Sequence, residues 1–141
     1  MQASDHNVTI LAIESSCDET SAGICRDGEI LSNIIASQKV HEQYGGVIPE
    51  LASRAHMQHI VPVTDQALKK AGVLLTDIDA IAFTRAPGLI GSLLVGSQFA
   101  KSLSLALNKP LIPVHHMQAH VLANLISEPK PAFPFLCLTV S

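Results

Sequence analysis

The stretch VTILAIESSCDETSAGICRDGEILSNIIAS, residues 8–37, decides the fold. Its first six residues are apolar and partly β-branched, which predicts a buried strand over residues 8–13. A polar loop over residues 14–19 follows, and residues 20–26 and 29–37 are predicted to form two more strands. The pair Asp27-Gly28 between these two strands is typical of a tight hairpin turn. The chain therefore opens with a β-meander whose first turn is unusually polar.

The rest of the chain alternates helices and strands. Pro49 suits the first position of a helix, and the apolar spacing predicts a helix over residues 50–60. We expect Pro62 to end or kink this helix, with a second helical segment that runs to Ala71 and has Gly72 as its C-cap. The remaining predictions are strands over residues 78–84, 111–114 and 135–141, helices over residues 89–107 and 116–126, and an extended linker over residues 129–134. This order predicts a mixed sheet with helices on its faces, an α/β architecture.

Composition limits the class of protein. The chain has 141 residues, of which 48% are hydrophobic and 15% are charged, so it can bury the core of one domain and is not a disordered protein. No uninterrupted apolar run approaches the roughly 18–20 residues of a membrane span, and the N-terminus does not resemble a secretion signal. We therefore expect a cytoplasmic protein that does not bind a membrane.

Charge and cysteine content exclude two further classes. The net charge is −3 and only 9 residues are Lys or Arg, so the chain lacks the basic patch with which a domain binds nucleic acid unaided. The 3 cysteines show no C-x-x-C spacing, which indicates reduced intracellular thiols.

The sharpest chemical motif is His115-His116-Met117-Gln118-Ala119-His120, directly after a predicted strand. On a helix, His116 and His120 share a face and can bind one metal ion, whereas His115 points elsewhere. Two surface histidines without a metal would show the same spacing. Imidazole ligands alone do not select between zinc and iron. A zinc protease of the H-E-x-x-H type needs a Glu where Met117 stands, so the protease interpretation lacks its general base.

Two other segments carry polar groups. The loop over residues 14–20 offers three carboxylates, three hydroxyls and the Cys17 thiol, and can bind phosphate or be an ordinary solvated turn. The turn over residues 84–92 resembles an anion-binding helix N-terminus, although it is not a P-loop. We expect His56 and His59 to lie on a polar helix face. A stripe of small residues is predicted either to pack inside the lobe or to bind a partner: Gly96, Ala100 and Ser104.

Together these segments resemble the TsaD family, also called Gcp, of tRNA threonylcarbamoyladenosine-forming proteins. The resemblance spans residues 9–141. Its motifs are residues 13–20, His41 with residues 44–54 and His56, residues 87–96, residues 110–120, and residues 135–141. Family sequences usually have Gly at the position of Ala86 and often Glu-Gly where Gln118-Ala119 stands, and neither departure removes a metal ligand.

The resemblance implies that residues 1–141 are the N-terminal lobe of an actin-like, Hsp70-like ATPase (ASKHA) fold, with a second lobe absent from this chain. The implied activity is an acyltransferase reaction, the transfer of a threonylcarbamoyl group from threonylcarbamoyl-adenylate to N6 of adenine 37 in tRNAs that read ANN codons. The implied ligands are one divalent metal, Fe²⁺ favoured over Zn²⁺, and the adenylate or ATP as nucleotide. The implied partners are tRNA, a TsaB-like paralogous subunit, a TsaE-like ATPase and a TsaC-like synthase. We expect the paralogous subunit to bind the helix after Pro49 and the small-residue stripe.

The resemblance also assigns site residues. His116 and His120 are the implied metal ligands, with a further aspartate ligand beyond residue 141. Thr139, Val140 and Ser141, at the end of the last predicted strand, are implied to bind the adenylate. Asp18 or Glu19 is expected to orient the adenine amine or to take its proton.

Two alternatives remain open from the sequence. One is a metal-dependent glycoprotease, an older label of this family that the absent Glu disfavours. The other is an inactive interaction module, because the isolated lobe lacks the adenylate loop and the further metal ligand.

Overall fold

The computed structural model describes residues 7–38, 41 and 44–140. The strands are β1 (Thr9–Glu14), β2 (Thr20–Arg26), β3 (Glu29–Ala36), β4 (Ala80–Ala86) and β5 (Leu111–His115). The α-helices are α1 (Pro49–Ala71), α2 (Ile90–Leu107) and α3 (His116–Ala123), and a short 3₁₀ turn covers Leu75–Asp77.

The strands form one mixed sheet in the order β3-β2-β1-β4-β5. The meander is antiparallel, whereas β4 runs parallel to both β1 and β5. The carboxyl ends of β1, β4 and β5 therefore lie at the same edge of the sheet, where the loops after parallel strands build ligand sites. The predicted meander and the predicted mixed sheet are both confirmed.

One face of the sheet carries the core. Leu11, Ile24 and Ile81 are fully buried there, beneath α1 and α2. Helix α3 lies toward the other face, where Ala119 shares a groove with Ala82 and Val114. The aliphatic character of the core follows from a chain in which only 4% of residues are aromatic.

Helix α2 is long and apolar enough, by length and composition, to cross a membrane, with a mean hydropathy of 1.3. The core helix of a soluble protein meets the same criterion. Ser92, Gly96 and Ala100 of α2 are buried within the lobe, and α2 packs against β4 and α1. The partly buried Val95, Phe99 and Leu103 of α2 also pack against the core, so the apolar character of this face serves packing inside the lobe.

Of the two predicted effects of Pro62 on the first helix, an end or a kink, the end is wrong. Helix α1 continues through Pro62 to Ala71 and is capped by Gly72 in a left-handed conformation, as predicted. Pro62 is exposed, and buried residues on both sides of it, His56 and Ala67 among them, hold the helix on the sheet. Tertiary packing therefore outweighs the hydrogen bond that proline cannot donate.

The last two elements also differ from prediction. Helix α3 ends at Ala123 rather than at residue 126, because the Asn124 side chain donates hydrogen bonds to the carbonyls of His120 and Val121. Residues 135–140 form no strand in the described part of the chain. Leu136 is 102% exposed and Leu138 is 89% exposed. An apolar run becomes a strand only when a neighbour pairs with its backbone, and the described sheet ends at β5.

Candidate metal and substrate site

Two imidazoles converge at the start of α3. The Nε2 atoms of His116 and His120 lie 3.0 Å apart, and the two ring planes are nearly perpendicular at 86°. Two nitrogens that bind one tetrahedral ion at about 2.0–2.1 Å are about 3.3–3.4 Å apart. The residues therefore fit two ligands of one metal ion, as their helical spacing predicts.

The β1 loop orients the first of these imidazoles. Ser16 Oγ lies 3.2 Å from His116 Nδ1, and Glu14 Oε1 lies 3.8 Å from the same nitrogen. When the proton lies on Nδ1, facing these oxygens, the lone pair of His116 Nε2 points toward His120 Nε2, 3.0 Å away, where a metal ion would bind. Glu14 also accepts a hydrogen bond from the Ser16 backbone N–H at 2.7 Å, which holds the two oxygens together.

His115 does not join the pair. It is the exposed last residue of β5, which extends one residue beyond the predicted strand. Among residues 7–38, 41 and 44–140, no group of three His, Cys, Asp or Glu side chains could hold a metal ion. The implied aspartate ligand beyond residue 141 stays a prediction.

The loop between β1 and β2 is fixed by α2 and by the turn before it. Ser15 Oγ donates to the Ser92 carbonyl at 2.8 Å, and the Leu89 N–H donates to the Ser16 carbonyl at 2.8 Å. Gly88 is needed for this approach, because a Cβ at that position would stand 2.6 Å from the Ser16 carbonyl oxygen. The turn over residues 84–92, which resembles an anion-binding helix N-terminus, thus contacts the β1–β2 loop of the same lobe.

The prediction that His56 lies on a polar helix face is wrong. His56 is fully buried, with Nδ1 2.8 Å from Thr20 Oγ1 and Nε2 2.9 Å from the Cys17 carbonyl oxygen. The signal in the sequence was the density of hydroxyls in a loop that borders a buried strand, because such groups need partners when they are buried. Ser92, which donates to the Cys17 carbonyl at 3.0 Å, was missed for the same reason.

Two cavities open beside the histidine pair. One, of about 510 Å³, is lined by Asp18 and Glu19 together with His116 and His120. The other, of about 480 Å³, is lined by the same two histidines and by Thr139 and Val140, with Ser141 outside the described residues. The structure therefore brings the predicted catalytic, metal and substrate residues to one region of the lobe.

The Cys17 thiol is exposed at this site and its pKa is raised. Partial desolvation, and then the negative charge of Asp18, cause the shift. Because the thiolate is the reactive form of cysteine, a raised pKa disfavours that form near neutral pH.

The small-residue stripe of α2 faces the interior of the lobe. Ala100 is fully buried in the core, and a Cβ on Gly96 would collide with the Ser15 side chain. The assignment of this stripe to a partner surface is therefore wrong, because its small side chains let α2 lie close to β1. The solvent side of the two helices instead carries exposed apolar residues: Met57, Val61, Ile90 and Leu94. We call these four residues the α1–α2 outer face.

Known proteins that are similar in sequence to this chain have the same name. The protein of Christiangramia forsetii named tRNA N6-adenosine threonylcarbamoyltransferase is 65% identical, over 98% of this chain and 42% of its own length. That of Cytophaga hutchinsonii, with the same name, is 58% identical over 96% of this chain and 39% of its length. The chain thus spans about two fifths of the relatives that it matches.

Solved structures of YeaZ type share the fold. YeaZ from Pseudomonas aeruginosa superposes with a TM-score of 0.61 at 28% identity, over 84% of this chain and 47% of that one. An uncharacterized protein with similarity to peptidase YeaZ gives a TM-score of 0.64 at 26% identity, over 86% and 49%. The predicted ASKHA-like lobe, a mixed sheet flanked by helices, is confirmed. A family model described as TsaD, tRNA N6-adenosine threonylcarbamoyltransferase, matches residues 29–141, and the chain belongs to that family.

Proposed function

We propose that this chain supplies the metal-binding lobe of an acyltransferase that moves a threonylcarbamoyl group from threonylcarbamoyl-adenylate to N6 of adenine 37 in tRNAs reading ANN codons. The observation that carries the proposal is the convergence of two imidazole Nε2 atoms, 3.0 Å apart, on a cavity that Asp18 and Glu19 also line. Family membership supplies the reaction class.

His116 and His120 would hold one divalent ion, with Fe²⁺ favoured over Zn²⁺ by the family resemblance. When bound, such an ion supplies Lewis-acid polarisation of an acyl oxygen. The chain's own part is to fix both rings, and Ser16 and Glu14 do this at His116 Nδ1. Oxygen partners on the second ring nitrogen typically strengthen and orient a histidine ligand.

The acidic loop would act on the tRNA amine. In the proposed step the N6 nitrogen bonds to the carbamoyl carbon, the bond from that carbon to the adenylate phosphate oxygen breaks, and AMP leaves. The amine proton passes to the carboxylate of Asp18 or Glu19. Glu19 is exposed and lies 3.5 Å from Ser37 Oγ, so its carboxylate is accessible from the cavity. Thr139 and Val140 border the neighbouring cavity and would contact the adenylate, or ATP.

A TsaB-like subunit would pair with the α1–α2 outer face. Met57, Val61, Ile90 and Leu94 are 68%, 60%, 79% and 51% exposed, and exposed apolar side chains on neighbouring helices are what a partner surface would offer. YeaZ, also named TsaB, shares the fold of this lobe, so a subunit of that type could present equivalent helices. This assignment replaces the small-residue stripe as the surface that binds the partner.

The other partners follow from the reaction. Because the lobe has few basic residues, tRNA phosphates would be bound mainly by other parts of the assembly. A TsaC-like synthase would supply the adenylate, and a TsaE-like ATPase would act beside the pair of paralogous subunits. We place these components and this chain in the cytoplasm, where tRNA is modified.

The two alternative functions, a metal-dependent glycoprotease and an inactive interaction module, require different features of the structure. A glycoprotease of the H-E-x-x-H type needs a general base beside the metal, but the residue after His116 is Met117 and Glu14 faces Nδ1, on the other side of the ring. An interaction module needs only the α1–α2 outer face. We expect the isolated 141-residue chain to behave as such a module, and turnover of adenylate and tRNA by the purified chain would contradict this.

The experiment is a reconstitution of the protein as its gene encodes it, with a TsaB-like subunit, the adenylate and tRNA. The modified nucleoside is measured by mass spectrometry after nuclease digestion, and bound metal by elemental analysis. His116→Ala and His120→Ala should each lower bound metal and lower the transfer rate more than about 100-fold.

His115→Ala is the matched control, because His115 is the exposed neighbour of His116 and has its imidazole outside the pair. It should keep both metal and activity. Full metal content and a normal transfer rate in His116→Ala would disprove the ligand assignment. Asp18→Asn and Glu19→Gln, measured separately, identify which carboxylate takes the proton.

A further inference from the structure

One buried histidine outside the metal pair contacts both ends of the acidic segment. His56 of α1 is 0% exposed, and Thr20, its partner at Nδ1, is also 0% exposed. Its other nitrogen, Nε2, lies 2.9 Å from the Cys17 carbonyl oxygen. Cys17 and Thr20 are the residues immediately before and after Asp18-Glu19. One imidazole therefore contacts the residues on both sides of the two carboxylates.

The hydrogen-bond pattern fixes one donor of His56. A carbonyl oxygen can only accept, so Nε2 carries a proton and donates it to Cys17. The Thr20 hydroxyl, which can donate or accept, pairs with Nδ1. Both ring nitrogens are satisfied in this arrangement, which is the condition under which an imidazole is buried without a large cost.

A second helix contacts the same carbonyl. Ser92 of α2 is 0% exposed, and its Oγ donates to the Cys17 carbonyl at 3.0 Å. The carbonyl thus accepts two hydrogen bonds, one from each helix on the core face of the sheet. The peptide between Cys17 and Asp18 is rigid and planar, so fixing its oxygen also restricts where the Asp18 backbone can lie.

We propose that His56 is a positioning residue that holds the segment carrying Asp18 and Glu19 in place for the transfer reaction. This inference rests on the proposed function. Asp18 and Glu19 border the open cavity and have little packing of their own, whereas the groups that fix them are buried behind the loop. A carboxylate that has moved by about 1 Å can lose up to about 100-fold in rate, even when the protein remains folded.

Three variants test the proposal in the reconstituted full assembly. His56→Leu fills the space and removes both hydrogen bonds. His56→Gln keeps an N–H donor for Cys17 and an acceptor for Thr20. Thr20→Val removes one bond at nearly constant volume. His59→Leu is the control, because His59 lies one turn further along α1 and makes neither contact.

We expect His56→Leu to lower kcat by about 10- to 100-fold with little change in the KM for tRNA. His56→Gln should recover most of that loss, and Thr20→Val should show a smaller loss. The alkylation rate of the Cys17 thiol gives a second readout. The thiol is already exposed, but partial desolvation and then the Asp18 charge raise its pKa, so a released loop that loses both influences reacts faster. That rate should rise in His56→Leu and stay normal in His59→Leu.

A purely structural role gives a different result. If His56→Leu lowers the melting temperature but leaves kcat and Cys17 alkylation at their normal values well below that temperature, the proposal is wrong. If His56→Leu does not fold, the same comparison of melting temperature, kcat and Cys17 alkylation is made with Thr20→Val, and normal kcat and alkylation in that variant contradict the proposal. If the unmodified assembly transfers no threonylcarbamoyl group, the proposed function fails, and the alkylation rates still decide whether His56 holds the loop.

Discussion

The two halves of the lobe differ in how their residues are held. From β1 through α2, the elements pack around a continuous core, and the acidic loop is fixed by hydrogen bonds from the buried side chains of Ser15, His56 and Ser92. From β5 onward no described residue is buried, and α3 has the histidine pair on a surface-exposed helix. The well-packed half therefore positions the loop, and the exposed half contributes the proposed metal ligands, which depend on contacts such as that of Ser16 with His116.

This contrast has a consequence for the histidine pair. His116 is tied to the packed half through Ser16 and Glu14, whereas His120 is linked to it only through His116 among the described contacts. A bound metal ion would join the two imidazoles and so restrain α3 against the loop. Metal binding would thus order the exposed half, whereas the packed half is already ordered by its core.

The largest loss of stability is expected from a substitution in the small-residue stripe of α2. Ala100→Trp places a large ring where Ala100 is fully buried, and overpacking of this size exceeds the about 1–3 kcal/mol of ordinary cases. We expect loss of the folded state, measured by circular dichroism during thermal unfolding. Lys101→Trp, on the neighbouring exposed position, should melt normally. A normally folded Ala100→Trp chain that failed only to bind its partner would restore the stripe as an interface.

The second comparison tests the two halves directly. Leu11→Ala empties a fully buried position in β1 and should cost about 2–5 kcal/mol in the free energy of unfolding. Leu138→Ala changes a side chain that is 89% exposed and should cost less than about 0.5 kcal/mol. Urea denaturation of both variants checks the difference. Equal losses would mean that residues 135–140 pack in solution, against the structure.

The third comparison concerns the turn before α2. Gly88→Ala puts a methyl group against the Ser16 carbonyl oxygen, which is backbone and cannot rotate away, so a loss of about 1–3 kcal/mol is expected. Gly46→Ala meets nothing within 4 Å and is the control. Both are measured by denaturation, with metal binding as a second readout because Ser16 also contacts His116. Unchanged stability and metal binding in Gly88→Ala would show that the loop yields without cost.

The parts of the fold that the sequence predicted are those governed by local pattern. The meander, both ends of α2 to within one residue, the Gly72 cap and the convergence of His116 with His120 all follow from periodicity or spacing. The errors arose where residues distant in the sequence determine the local structure. Packing on both sides of Pro62 continues α1, and the lack of a pairing strand leaves residues 135–140 irregular.

The buried polar contacts were the hardest to foresee. His56 looked like a surface residue because Glu50 and Arg54 on the same helix are charged, and only the three-dimensional approach of α1 to the loop showed its partners. The signal available in the sequence was indirect, namely hydroxyls in a loop next to buried strands. The sequence indicated only one part of the α1–α2 outer face, the helix after Pro49, since the moderate amphipathicity of these helices does not say which apolar residues face solvent.

The smallest effect is expected in thiol reactivity across the two halves. Cys17 and Cys137 are both exposed, one in each half, and partial desolvation followed by the Asp18 charge raises the pKa of Cys17. Alkylation by iodoacetamide requires the thiolate, so near pH 8 Cys17 should react more slowly than a cysteine in an unstructured peptide, and its rate should reach half-maximum at a higher pH. Asp18→Asn removes the negative charge and should shift this midpoint to lower pH, though not fully, because burial remains. Peptide mapping by mass spectrometry assigns the rates to each cysteine. An unchanged midpoint in Asp18→Asn would mean that the Asp18 carboxylate points away from Cys17, and so would be free to face the cavity instead.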